Sequence, residues 1–181
     1  MLRITKILFI LLLTINSVKA NEVINKIVIN GNQRISEETI KIYGEINKNQ
    51  KINENGINLI IKNLYSTNFF EDVDVSYSNK ILTINLKEYP IVNQLIIIGE
   101  KSNKIKNQIK KLISLKEKRS FIKSKLSNDL EIIKTLYASI GYNFSIVEAK
   151  IKEIDNNNYY LIFEIKKGKE SRITSINFIG D

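Results

Sequence analysis

Three carboxylates stand close together in the stretch EDVD, where Glu71, Asp72 and Asp74 could supply oxygen ligands to a calcium ion. Alternate residues of a β-strand point to the same face, so Asp72 and Asp74 would share the polar face of a strand whose other face carries Val73 and Val75. Carboxylates in that arrangement are more often solvated than bound to a cation. We therefore interpret the stretch as the wet face of a strand, without a metal site.

The residue types on which much nucleophilic and metal chemistry depends are missing, because the chain has neither histidine nor cysteine. A histidine-based triad, a cysteine nucleophile and a zinc site of the usual ligands are excluded. A hydrolase built on serine or carboxylates would need a pocket of convergent polar groups, and none can be assembled from the sequence. We expect a protein that is not an enzyme and has no cofactor.

A lysine-rich stretch, NKIKNQIKKLISLKEKR at residues 103–119, could contact anionic lipid or an acidic partner surface. Its residues Ile105, Ile109 and Leu112 recur at helical spacing, so we interpret the lysines as the solvated face of an amphipathic helix. The formal charge of +9 says little about nucleic acid until the compartment is known.

Residues 1–20 have the three parts of a secretory signal peptide. Arg3 and Lys6 precede the apolar run ILFILLLTI, and the small residues of VKA follow it. That run of nine residues is too short for a transmembrane helix, which needs about 20. Cleavage after Ala20 would remove three cations, including Lys19, and leave a charge of 9 − 3 = +6. We expect an exported chain, and nucleic acid is not an expected partner.

The elements that follow have the order β-α-α-β-β. A strand runs into Gly31, and a helix with Ser36 as its N-cap ends near Gly44. A second helix begins after Asn53, and its apolar stripe contains Ile57, Ile60, Ile61 and Leu64. A hairpin of alternating hydrophobicity completes the unit, with its turn at residues 78–79.

The same order then recurs. The second helix of the new unit has an apolar stripe of Leu126, Leu130, Ile133 and Tyr137. The next strand directs one row of apolar side chains to one face, namely Val147, Ala149 and Ile151. A turn at residues 155–158 leads into an aromatic-rich returning strand.

Three glycines mark equivalent points at the ends of similar strands. The spacing is 99 − 31 = 68 residues from Gly31 to Gly99 and 180 − 99 = 81 from Gly99 to Gly180. Unequal spacing favours a tandem array of small domains over a strict solenoid. We predict a first domain at 22–89, a second at 90–170, and the first strand of a third repeat at 171–181.

Each unit is predicted to be α+β, with a three-stranded mixed sheet and two helices on one face. Its first and last strands are separated by a helical crossover, so they are expected to be parallel neighbours. The first strand of the hairpin would then lie antiparallel at an edge of the sheet. The wet second face of the sheet accounts for the alternating pattern.

This order, together with the opening at residues 31–36 and the stretches LYSTNFFEDVDV and LYASIGY, resembles the POTRA domains of the BamA family of outer-membrane protein assembly factors. The resemblance covers the chain after Ala20. It implies tandem POTRA repeats followed, beyond residue 181, by further repeats and a membrane β-barrel through which the protein contacts the membrane.

The resemblance also implies a function and a location. It places the chain on the periplasmic side of the outer membrane of a Gram-negative bacterium, as a scaffold and docking arm for β-barrel assembly. The implied partners are unfolded outer-membrane β-barrel proteins, accessory assembly lipoproteins and periplasmic chaperones.

The docking device would be β-strand addition at an exposed sheet edge, which depends on backbone groups more than on client sequence. The candidate residues in the first unit are Val73, Asp74, Val75, Ser76 and Tyr77. Those in the second are Phe144, Ser145, Ile146, Val147, Glu148, Ala149 and Lys150. Edge charges commonly prevent pairing, so Asp74 or Lys150 could equally blunt these edges.

An alternative is the POTRA region of another system, such as two-partner secretion, a TamA-like barrel or an FtsQ-like division protein. The last of these has one POTRA unit behind a genuine membrane anchor. The short apolar run and the two full repeats argue against that branch.

Overall fold

The computed structural model describes residues 22–155, 157–172 and 174–179. The predicted signal peptide at residues 1–20 lies outside the described residues. The chain divides into two compact units, one ending at Glu88 and the other beginning at Tyr89. Within the described part, no helix has both the length and the apolar character needed to cross a membrane.

The elements confirm the predicted α+β class. The first unit contains β1 (Glu22–Val23), β2 (Lys26–Asn30), α1 (Glu37–Tyr43), β3 (Lys51–Ile52), α2 (Glu54–Ser66), β4 (Phe70–Ser78) and β5 (Ile81–Glu88). The second contains β6 (Ile91–Ile98), α3 (Asn103–Leu112), α4 (Lys123–Ser139), β7 (Ile146–Asp155) and β8 (Asn158–Lys166).

Local capping explains where three of the four described helices begin. The Ser36 hydroxyl accepts the Thr39 N–H at 3.2 Å, and the Asn53 side chain accepts the Gly56 N–H at 2.9 Å. Both caps agree with the prediction, and Ser102 has the same function for α3. Helix α4 has no side-chain cap, so its start depends on tertiary packing.

Each unit has a three-stranded mixed sheet, in the orders β2-β5-β4 and β6-β8-β7. The outer strands β2 and β6 run parallel to the central strands β5 and β8, whereas β4 and β7 run antiparallel to them. The crossover argument is therefore confirmed. The first unit adds a small antiparallel pair, β1 with β3, which the sequence pattern did not reveal.

Two glycines allow the strand before the helices to approach the central strand closely. A Cβ on Gly31 would lie 2.0 Å from the carbonyl oxygen of Leu86, and one on Gly99 would lie 1.9 Å from that of Ile165. Both glycines have positive φ, +84° and +87°. Only glycine fits such positions without moving the sheet.

Each unit has its own apolar core between the sheet and its helices. In the first, Ile60 and Leu64 are buried with the strand residues Val73 and Val75. In the second, Ile109, Ile133 and Tyr137 are buried with Val147. Separate cores of this kind let each unit bury apolar surface without the other.

Three predicted positions differ from the structure. The first hairpin turns at residues 79–80, one position later than expected, because Asn79 and Lys80 take the positive φ values that a two-residue loop needs. Leu112 is 49% exposed, since it lies in the last turn of α3 beside a groove of about 460 Å³ that is lined by α4. Ile151 is 43% exposed, because burial along the inward face of β7 ends after Val147 and the partly buried Ala149.

Residues 174–179 form neither helix nor strand in the structure. Their large apolar side chains are exposed, with Phe178 at 94% and Ile179 at 100%. A strand needs a neighbour to complete its hydrogen bonds, and these residues are paired with none of the described strands. The third repeat therefore stays a prediction.

Candidate docking edges

The two candidate segments lie at sheet edges. Strand β4 pairs only with β5, and β7 only with β8, among the described strands. Residues 73–77 fall inside β4, and residues 146–150 fall inside β7. Phe144 and Ser145 precede β7 in a turn, so these two predicted positions belong to the approach to the edge and not to the strand.

The close glycine contacts show which backbone groups face outward. The Leu86 carbonyl points toward Gly31 and hence away from β4, and Leu86 is opposite Val73 in the register. Such a pair is not hydrogen bonded across the strands, so the backbone N–H and C=O of Val73 point away from β5. Ile165 and Val147 have the same relationship in the second sheet.

The period of two extends this assignment along each strand. Val75 joins Val73 in directing its backbone outward from β4. In β7, the outward-directed residues include Val147, Ala149 and Ile151. Glu148 and Lys150 instead direct their backbone groups to β8.

One outward backbone N–H of the β4 edge already has a hydrogen-bond acceptor within the protein. The Val73 N–H donates to the Tyr65 hydroxyl at 3.1 Å, and that hydroxyl donates to Asp72 at 3.1 Å. Tyr65 belongs to the last turn of α2, which packs against β4. The strand also has a register irregularity between Phe70 and Asp72. Bulges and side-chain bonds of this kind hinder strand addition.

The carboxylates of EDVD each have a protein partner. Glu71 pairs with Lys87 at 2.7 Å, and the Asp74 carboxylate accepts the Asn85 amide at 3.1 Å. Asp72 accepts the Tyr65 hydroxyl. No group of acidic residues among the described residues is arranged to hold a metal ion. These side chains therefore belong to the exposed β4 face.

The β7 edge has a different surface. Its backbone receives no hydrogen bond of the Tyr65 kind from any described side chain, and it is bordered by exposed apolar groups. Phe144 is 78% exposed and Ile146 is 52% exposed. Lys150 does not turn across the edge but bonds Glu164 on the central strand at 2.9 Å, and this contact raises the pKa of Lys150. An added strand would meet an unobstructed backbone here.

A buried carboxylate that the sequence analysis missed holds the loop after β2. Glu88 at the end of β5 accepts the backbone N–H groups of Gln33, Arg34 and Ile35 at 2.9 to 3.0 Å. The Arg34 guanidinium lies 3.4 Å from its second oxygen. Donors gathered on one carboxylate stabilise a buried charge that would otherwise be costly.

In the second unit the buried carboxylate belongs to the matching loop itself, and its hydrogen-bond partners include residues of the neighbouring elements. Glu100 follows Gly99, is 4% exposed, and accepts the Tyr137 hydroxyl at 2.6 Å and the Ser102 N–H at 2.6 Å. Lys167 at the end of β8 lies 2.9 Å from it. Burial by itself would raise the pKa of Glu100, but these hydrogen bonds outweigh it and lower the pKa to about 2.

Tyr137 is the neutral partner in this cluster. Burial and the adjacent Glu100 carboxylate both raise its pKa, so the phenol stays protonated and donates.

A third buried carboxylate holds the connection between helices α3 and α4. The buried Asp129 accepts the N–H groups of Ser114 and Leu115 at 2.6 and 2.8 Å. Through these hydrogen bonds, each of the buried polar residues Glu100, Tyr137 and Asp129 has a structural role. The only sequence signal for them was an acidic residue interrupting an apolar pattern.

The lysine-rich stretch lies on α3 and the following loop. Lys110 pairs with Glu117 at 3.3 Å, and the Lys116 ammonium donates to the Lys111 carbonyl at 3.1 Å. A cation at the end of a helix satisfies carbonyl groups that lack helical partners. Part of the positive charge thus closes α3, in agreement with its interpretation as a solvated helix face.

Comparison with known proteins adds an independent finding. The sequence model of the POTRA family, described as a surface antigen variable number repeat, matches residues 22–89 and 90–168. Outer membrane protein assembly factor BamA of Neorickettsia risticii is 27% identical over 164 residues, covering 90% of this chain and 22% of that protein. The BamA of Neisseria meningitidis serogroup B is 27% identical over 165 residues, covering 90% and 21%.

A solved structure has a similar fold. It is the N-terminal domain of Omp85 from Thermosynechococcus elongatus, with a TM-score of 0.50 and 15% sequence identity, covering 81% of this chain and 63% of that one. At this identity the likeness concerns the fold alone. The chain spans about a fifth of the length of the curated relatives it matches.

Proposed function

Because this chain belongs to the POTRA family, we propose that it is a periplasmic scaffold of outer-membrane β-barrel assembly that receives unfolded client segments by β-strand addition. The observation that carries this proposal is the β7 edge, where the backbone of Val147, Ala149 and Ile151 points outward. An extended client strand could pair there whatever its side chains are. This property suits a scaffold that handles many sequences.

The number of available bonds sets the strength of such an encounter. Three outward residues provide three donors and three acceptors, and a net hydrogen bond contributes about 1 kcal/mol. Ordering a flexible client costs roughly 2–5 kcal/mol, so pairing with one edge leaves about 1–4 kcal/mol, a dissociation constant of roughly millimolar or weaker. A client held this weakly could be passed onward. Additional affinity would come from apolar contacts such as Phe144, which is exposed.

The other parts of the proposal follow from family membership and the relatives. We place the chain on the periplasmic side of the outer membrane, with accessory assembly lipoproteins and periplasmic chaperones as further partners. Scaffolding requires no catalytic group, and the buried carboxylates Glu88, Glu100 and Asp129 all accept structural hydrogen bonds. The proposal therefore includes no enzymatic activity.

The experiment is a binding titration with two peptides of identical side chains. One is an extended peptide of alternating apolar and polar residues, and the other has N-methyl groups on alternate backbone nitrogens so that it cannot donate to an edge. Both are titrated into the chain without residues 1–20 and followed by nuclear magnetic resonance. We expect the methylated peptide to bind at least about tenfold more weakly, because its pairing bonds are lost. Equal binding of the two peptides would contradict strand addition.

A further inference from the structure

The two repeats contain the same Leu-Tyr pair at the end of their second helix, but its tyrosine occupies two different places. Leu64 and Leu136 are both buried in their cores. Tyr65 is 42% exposed and its hydroxyl reaches β4, whereas Tyr137 is fully buried and its hydroxyl donates to Glu100. The structure thus separates two repeats that the sequence pattern makes look alike.

The two tyrosines occupy different positions relative to the end of the helix, since Tyr65 lies three residues before Asn68 (φ 57°) and Tyr137 lies four residues before Gly141 (φ 93°), so they point to different sides. In the second unit, the residue after the close-approach glycine is Glu100, whose carboxylate accepts the Tyr137 hydroxyl inside the core. In the first unit it is Asn32, whose shorter side chain donates to the Ile35 carbonyl of its own loop at 3.1 Å. The Tyr65 hydroxyl bonds the edge strand of its own unit.

Tyr65 closes one end of the β4 edge. Its hydroxyl accepts the outward Val73 N–H and donates to Asp72, so an incoming strand would have to displace both bonds. Displacing them adds an energetic cost that β7 does not impose, since no described side chain bonds the Val147 backbone. At the exposed position before this point, β4 carries Asp72, whereas the corresponding residue of β7 is the apolar Ile146.

We propose that Tyr65 is a specificity-determining residue that seals the first repeat against strand addition and directs extended segments to the β7 edge of the second repeat. This inference rests on the proposed function. The favoured occupant is an extended segment of alternating apolar and polar residues. Its apolar side chains would continue the row formed by Val147, Ala149 and Ile151 in β7, whereas the Tyr65 hydroxyl already occupies the outward Val73 N–H of β4.

Disulfide trapping tests the assignment, because the chain has no cysteine of its own. Single cysteines replace Ser76 in β4 or Lys150 in β7, which occupy corresponding exposed positions on the two edges. Each variant is incubated with the alternating peptide carrying one cysteine. Two strands bring paired residues within the distance that a disulfide requires. We expect trapping at Lys150→Cys to exceed trapping at Ser76→Cys by roughly fivefold, the factor that one net hydrogen bond is worth.

The Tyr65→Phe substitution is then added to each cysteine variant. It should raise trapping at Ser76→Cys by roughly fivefold and leave trapping at Lys150→Cys unchanged. Tyr43→Phe is the matched control, since it removes a hydroxyl from an exposed tyrosine of the same unit and should change neither yield. Asp72→Ala is a second variant, which removes the carboxylate that holds the Tyr65 hydroxyl at the edge without altering the ring, and it should raise trapping at Ser76→Cys by a smaller factor.

The outcomes separate this inference from the function on which it rests. Equal trapping on the two edges before Tyr65 is changed, or no rise at Ser76→Cys in Tyr65→Phe and Asp72→Ala, would overturn the seal while leaving strand addition intact. Absence of trapping on both edges in every variant would overturn strand addition itself, and the seal with it. A rise in Tyr65→Phe confined to Ser76→Cys supports the inference.

Discussion

Single carboxylates hold the loop after the first strand of each repeat, but they do so from opposite elements. Glu88 reaches it from the end of the central strand, and the matching strand position in the second repeat is Lys167. There the carboxylate, Glu100, belongs to the loop itself. The exchange of charge keeps the loop in place in both repeats.

The lowered pKa of Glu100 predicts a specific acid sensitivity. Its folded-state pKa of about 2 is below the ordinary value of 4.5, so the stabilisation is complete above pH 4.5 and is lost as the pH falls toward 2. The difference corresponds to roughly 3 kcal/mol at neutral pH. We expect Glu100→Gln to lower the stability of the second unit at pH 7 and to flatten its dependence on pH in that window.

Urea unfolding at a series of pH values measures this effect. Glu153→Gln is the control, because Glu153 is an exposed acid of the same unit. The control should keep the wild-type pH dependence. An unchanged slope in Glu100→Gln would show that the carboxylate does not contribute the expected stability.

The close-approach glycines predict a second effect of single residues. A methyl group on Gly99 would lie 1.9 Å from the Ile165 carbonyl oxygen, and the backbone has a φ of +87°. Overpacking and strain each cost about 1–3 kcal/mol, so Gly99→Ala should destabilise the second unit by roughly 2–6 kcal/mol. Gly56→Ala is a suitable control, because its added Cβ would be 3.6 Å from its nearest neighbours. Equal thermal stability of the two variants would contradict this packing.

At the scale of the elements, the exposed edges distinguish this fold from a closed sheet. The main sheet of each unit has three strands, and its antiparallel outer strand offers one row of outward backbone groups. Side chains decide whether that row is usable. In β4 the hydroxyl of Tyr65 occupies the first donor, whereas β7 has an exposed Phe144 at its entrance and no such bond.

Adjacent proline substitutions in β7 test the direction of its backbone. Val147→Pro removes an outward N–H, so the unit should stay folded while binding of an extended peptide weakens. Glu148→Pro removes an N–H directed to β8 and should unfold the second unit. Circular dichroism reports folding, and peptide titration reports binding. A folded Glu148→Pro, or a folded Val147→Pro with unchanged binding, would contradict the assigned register.

Much of this architecture could be predicted from local patterns. The alternation of Val73 and Val75 with Asp72 and Asp74 predicted a half-buried strand, and the Ser36 cap predicted where α1 begins. Both signals arise from neighbouring residues and the period of a single element. Patterns of that kind can be read from the sequence, because each depends only on one face of a strand or one turn of a helix.

Other features could not be predicted, because they depend on residues far apart in the sequence. Nothing in the repeated Leu-Tyr pair shows that one tyrosine meets Glu100, 37 positions away, and that the other meets its own edge strand. The exposure of Ile151 depends on how far the helices extend over β7. The β1–β3 pair has two residues in each strand, too few to form a period.

At the scale of the molecule, the two repeats have separate cores and separate sheets. Each core includes both helices and the inward faces of its own strands. Small domains of this kind are marginally stable, and buried ion clusters at Glu88 and Glu100 add local stability. We expect residues 22–88 and 89–172 to fold as independent fragments. Each should give a cooperative thermal transition by circular dichroism, and a fragment without one would show that its core is incomplete.

Amide hydrogen exchange at the β7 edge, with and without the alternating peptide, tests strand addition most directly. The outward N–H groups of Val147, Ala149 and Ile151 should become protected when the peptide binds. Those of Glu148 and Lys150, already bonded to β8, should change little. Protection with this alternate pattern is the result that β-strand addition predicts. Binding without protection of the outward amides would contradict it.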